Sequence, residues 1–188
     1  MEIRSDIICR GSTWYKINEG YVHKFFNTMW DLFKICLSIG ILYDKQIEDD
    51  NSSEEEDKIT VPRSMLYRRT LELQFYFQSA ILTSNSVNLS EKDRLYLAFS
   101  EEISEEELEG DEVEILKRGV SQRALEFDKI SFLKKFANYG ATKLLECLSR
   151  NDSETMENLM EFLTNSYKGE TEELLKMKEV EELLDEYN

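Results

Sequence analysis

The chain has 188 residues, with 39 Asp and Glu against 23 Lys and Arg and a formal net charge of −16. That length suits one core of ordinary size, and a hydrophobic fraction of 41% with ten Phe, nine Tyr and two Trp excludes a disordered composition. The charge opposes general binding to nucleic-acid phosphates, which depends on Lys and Arg displacing counterions. One Pro and seven Gly leave little punctuation for short strands and tight turns, so a mainly α, compact multi-helix domain is expected.

In chain order, the first twenty residues are broken by Glu2, Arg4, Asp6, Arg10, Lys16 and Glu19, so no signal peptide is expected there. Ile7-Ile8-Cys9, then Gly11-Ser12 and Trp14-Tyr15-x-Ile17, suit two short strands around a turn, a small N-terminal β-hairpin. Thr28 with Asp31 three residues later is a capping pattern. The apolar residues Met29, Leu32, Phe33, Cys36 and Leu37 follow at helical spacing, which predicts a helix from about 28 to 39 that stops at Gly40. The most apolar stretch, 29–42, carries Asp31 and Lys34 and is shorter than the roughly 20 residues that a bilayer requires.

From Asp44 to Asp57 the chain reads DKQIEDDNSSEEED, an acidic run without apolar periodicity that predicts an exposed or mobile loop. After Pro62, the residues Met65, Leu66, Leu73, Phe77, Ala80 and Ile81 predict one long helix over about 64–83. Ser90 and Asp93 cap a shorter one through Leu95 and Phe99. Residues 101–114 hold nine acids and no base among Ile103, Leu108 and Val113, the pattern of an acidic helix pair or of a second projecting loop. Between 115 and 150 the sign reverses, with eight Lys and Arg against three acids. Those cations face an acidic partner or the protein's own acidic segments.

The broadest apolar stripe is Leu133, Phe136, Ala137, Gly140, Ala141, Leu144, Leu145 and Leu148, which predicts a core-facing helix from about 130 to 148. Gly140 on that stripe costs about 1 kcal/mol relative to Ala, and close approach of another helix is the expected reason for it. Two acidic helices are expected at the end, one through Met156, Leu159, Met160 and Leu163 and the other through Leu174, Leu175, Val180, Leu183, Leu184 and Tyr187. They are separated by Gly169 and begin at Asp152 or Ser153 and at Thr171. The organisation expected is therefore a helical core over 1–150 with an acidic insertion at 44–57. A C-terminal helical hairpin over 151–188 packs on that core, on a partner or in a homodimer.

Chemistry is hard to place. His23 is the one histidine, so a Ser or Cys nucleophile would have a single imidazole as base. No phosphate-cradling glycine loop or EF-hand spacing occurs. Cys9, Cys36 and Cys147 are odd in number and widely spaced, as reduced cytosolic thiols would be. No catalytic residue, cofactor or metal is expected, and the expected location is cytoplasmic. The residues singled out for interaction are the cluster Arg63, Arg68 and Arg69, together with Lys134 and Lys135 of the basic segment.

Phe26-x-Thr28-x-x-Asp31-Leu32-Phe33, closing at Gly40 and Lys45, with Val61-Pro62, Leu97-Ala98 and Phe132-Leu133-x-x-Phe136-Ala137-Asn138-x-Gly140, resembles small accessory proteins of bacterial DNA phosphorothioation systems. Related helper subunits occur in other anti-phage systems. The resemblance implies a non-enzymatic adaptor that works through contacts with larger protein subunits of a defence or DNA-processing complex, with no catalytic residue to carry over. Two readings compete with it. One is an acidic DNA mimic that uses 101–114 and 152–186 to occupy a DNA-binding enzyme, since carboxylates at i and i+4 are about 6 Å apart along a helix. The other is a weak nucleic-acid binder that uses the Arg cluster or the basic segment.

Overall fold

The computed structural model describes residues 3–49, 58–100, 117 and 119–166. Its secondary structure is mainly helical, with one antiparallel pair of strands near the N-terminus, as the composition predicts. Strand β1 (Ile7–Arg10) buries Ile7 and Cys9 and exposes Ile8 and Arg10. Its partner does not follow directly. Gly11, at φ 103°, turns the chain into helix α1 (Ser12–Tyr21), on which Trp14, Ile17 and Tyr21 are buried. Those three lie at i, i+3 and i+7, a helical period, and this overrides the hairpin reading of Trp14 and Ile17. The second strand, β2 (Lys58–Val61), arrives after the next helix and sets Val61 opposite Ile7 and Ile59 opposite Cys9.

Helix α2 (Met29–Leu42) opens with the expected capping box, in which the Thr28 hydroxyl accepts from the Asp31 amide at 3.2 Å and Asp31 accepts from the Thr28 amide at 3.1 Å. It does not end at Gly40. Gly40 lies inside the helix because α2 there crosses α7 (Lys129–Cys147), and a Cβ on Gly40 would stand 2.8 Å from Phe136 Cα and closer still to its carbonyl. Gly140 repeats the arrangement in reverse, with a Cβ falling 2.7 Å from Cys36 Cα and closer still to that carbonyl. The pairs 40/136 and 36/140 run in opposite directions, so the two helices cross antiparallel with their backbones nearly touching. This is the close approach that Gly140 predicts.

The expected long helix over 64–83 divides into α3 (Arg63–Tyr67) and α4 (Thr70–Thr83). The Arg69 amide turns back to the Leu66 carbonyl at 2.9 Å, and the Thr70 hydroxyl takes the Tyr67 carbonyl at 2.9 Å, so the first helix closes before the second begins. Helix α5 (Glu91–Phe99) starts at Ser90 as expected. A short helix that the sequence reading did not anticipate, α6 (Gln122–Leu125), starts at Ser121, whose hydroxyl accepts from the Ala124 amide at 3.2 Å.

Two polar clamps fix the irregular chain. Arg94 donates to the carbonyls of Ile81, Ser84 and Val87 at 2.8, 2.6 and 2.7 Å, satisfying groups left open where α4 ends. Asp44, at φ 47°, accepts from the Ser84 hydroxyl and the Asn85 amide of the same loop, at 2.5 and 2.7 Å. The start of the acidic run, residues 44–49, is therefore a surface loop, as expected, but one tied down by hydrogen bonds and ion pairs. The Ile47 amide donates to the Lys135 carbonyl at 3.0 Å, Glu48 pairs with Lys135 at 2.6 Å, and Asp49 pairs with Lys134. Residues 50–57 of that run, the acidic segment at 101–114 and the second C-terminal helix at 171–188 lie outside the described residues.

The chain divides into two compact units, Met1–Leu145 and Glu146–Asn188. In the first, the core joins a Trp14–Phe33–Trp30 stack, with centroid spacings of 6.3 and 6.0 Å, to an edge-to-face series through Phe77, Phe132 and Phe136. Asn138 is the buried polar junction, its carbonyl accepting from the Trp14 indole at 2.8 Å and its amide donating to Ile47 O at 3.1 Å and to Asp49 at 3.0 Å. In the second unit a helix runs over residues 152–166. Its cap is Asn151, one residue before the expected Asp152 or Ser153, because the Asn151 side chain accepts from the Glu154 amide at 2.8 Å.

Candidate functional site

On α4, residues two apart in sequence point about 200° apart around the axis. Leu73 and Phe77 fill the core, so Leu71 and Phe75 stand on the opposite side, one turn apart and one above the other. Tyr67, the last residue of α3, precedes them. Relative exposures of 74% for Tyr67, 83% for Leu71 and 65% for Phe75 make this the most open row of large apolar side chains among the described residues. Isolated apolar residues on a surface need no explanation, but a contiguous row is a usual mark of a contact surface.

Arg63, Arg68 and Arg69 are exposed in the same segment of chain, Arg63 one turn before Tyr67 on α3 and the other two at the break between α3 and α4. Arg69 reaches Glu72 at 3.8 Å, and Glu72 also pairs with Lys34 of α2 at 3.4 Å. Among the described residues, no ion pair forms at Arg63 or Arg68. The Arg63 backbone amide is taken by Asp6 at 2.6 Å, which fixes the start of α3. Tyr and Arg beside apolar side chains is the composition favoured at the centre of protein interfaces.

Between α2 and α4 lies an open groove of about 450 Å³, with Phe25, Phe26 and Ile35 on its apolar side. Its polar side carries Asp31, Lys34, Ser38 and Tyr76. Those groups are already engaged: the Ser38 hydroxyl donates to Lys34 O at 2.9 Å and lies 3.2 Å from the Tyr76 hydroxyl, and Asp31 is held in the capping box. The Phe75 and Tyr76 rings meet edge to face at 6.3 Å, so the exposed row borders the groove.

Of the five residues singled out from the sequence, the three arginines are all exposed and adjoin Tyr67, Leu71 and Phe75 in the chain. Lys134 and Lys135 belong to α7 and are spent on Asp49 and Glu48. Elsewhere in the basic segment, Lys129 lies 4.9 Å over the Phe77 ring and Arg123 donates to Asn88 O at 3.1 Å. Its charge thus serves the protein's own core and loops in large part. Tyr67, Leu71 and Phe75 escaped the sequence reading, which scored α4 by its buried stripe. The available signal was the apolar residues left over once that stripe had been assigned.

The remaining reactive groups are buried or turned outward. Burial raises the Cys9 thiol pKa against the lowering effect of Lys134, and Asp49 adds to the rise; burial likewise raises Cys36 well above its ordinary value. His23 is exposed at φ 64° in the turn after α1, its amide donating to Phe26 O at 2.7 Å. Among the described residues no group of His, Cys, Asp and Glu is arranged to hold a metal ion, and no helix is long and apolar enough to cross a membrane. No family model matches the chain, and no curated protein or solved structure proved similar to it.

Proposed function

We propose that the protein is a non-enzymatic adaptor that works by contact with another protein through the α3–α4 face. The observation that carries this reading is the open row Tyr67, Leu71 and Phe75 beside three arginines. Fully burying a side chain of this kind is worth about 1.5–3 kcal/mol, so the row offers about 6 kcal/mol before the costs of association. A multi-protein DNA-modification or anti-phage assembly is the setting suggested by the resemblance. The residues of that resemblance bear on the fold more than on the setting: Thr28 and Asp31 cap α2, Gly40 and Gly140 allow a helix crossing, and Asn138 joins α1 to Ile47 and Asp49 of the acidic run.

Affinity purification of the full chain from its host, beside the Leu71→Glu/Phe75→Glu double variant, tests the reading. We expect a stoichiometric protein partner that the variant loses while its circular dichroism spectrum and Tm stay unchanged. A partner retained by the folded variant, or no partner with either protein, would refute it.

A further inference from the structure

We draw no further inference here: the strongest candidate, the exposed apolar row of Tyr67, Leu71 and Phe75 on α3 and α4, belongs to the face already described, and nothing in the structure shows what covers it.

Discussion

Replacing Gly140 or Gly40 with Ala tests the α2–α7 crossing directly. In an exposed helix such a change is worth about 1 kcal/mol in favour of Ala. Here the new methyl would stand 2.7 or 2.8 Å from a backbone Cα of the facing helix and closer to its carbonyl, whereas carbon atoms pack best at about 3.5–4.0 Å. Neither helix has a flexible group at that point to move aside, so the axes must separate by about 1 Å and loosen the packing of buried neighbours such as Leu37, Ala137 and Ala141. Overpacking of this kind typically costs 1–3 kcal/mol, and contact with rigid backbone puts it at about 3. Net destabilisation of about 2 kcal/mol follows for each single variant, a fall of about 4–8 °C in Tm for a chain of this size. Thermal unfolding followed by far-ultraviolet circular dichroism, with a urea titration alongside, measures it. Because one methyl already spreads the helices for the other, the double variant should cost less than the two singles added together. A single Ala variant as stable as the parent, or more so, would refute the crossing geometry.

Trp14→Phe removes the donor to a buried Asn138 carbonyl, at about 1–3 kcal/mol beyond the lost ring area. Trp30→Phe should escape that part of the cost, because the Trp30 indole N–H is buried without a partner among the described residues, and urea titration of the two variants side by side reads the difference. The Ser121 amide is the main influence holding the Asp93 carboxyl below its ordinary value, opposed by burial and assisted by Ser90. Its folded pKa is depressed, so its stabilising contribution is present above the ordinary value of 3.8 and is lost as pH falls through the folded value. Asp93→Asn should accordingly be less stable than the parent at pH 7, and the gap in Tm should close on acidification toward pH 3; a gap that stays constant would contradict this. Cys9 and Cys36, buried with raised pKa values, should resist iodoacetamide at pH 8 in the native protein and alkylate readily in urea.

How much of this fold was legible depended on the strength of local patterns. Thr28 with Asp31 and Ser90 with Asp93 mark helix starts because each satisfies amides that a helix must leave open, and both were readable. Gly140 was readable as a crossing point because glycine on an apolar stripe has few other uses. Its counterpart Gly40 was not, since glycine near the end of a helical pattern equally signals a stop. The break at Arg68–Arg69 carries neither Gly nor Pro, and a periodic apolar pattern ran across it. The partnership of β1 with β2 is a non-local pairing for which a single sequence offers no marker, so the nearer Trp14–Ile17 stretch stood in for the second strand.

The candidate face shows the same limit in a sharper form, and its cause is the apolar character of α4. A helix with apolar residues on every side is normally buried on every side, and TLELQFYFQSAILT has that composition. Periodicity identifies Leu73, Phe77, Ala80 and Ile81 as the core stripe and thereby demotes Leu71 and Phe75 to unassigned residues. Only tertiary placement shows that nothing among the described residues covers them. The arginines could be found from charge alone, as could Lys134 and Lys135, yet charge does not distinguish a cation spent on its own acidic chain from one facing solvent. Lys134 and Lys135 are of the first kind and Arg63 and Arg68 of the second. The difference lies in where residues 44–49 run, a path set by Asp44, Ile47 and Asn138 and by no pattern within the basic segment itself. A helix too apolar for one buried face, next to cations that no described residue neutralises, is therefore the combination by which this surface is recognised.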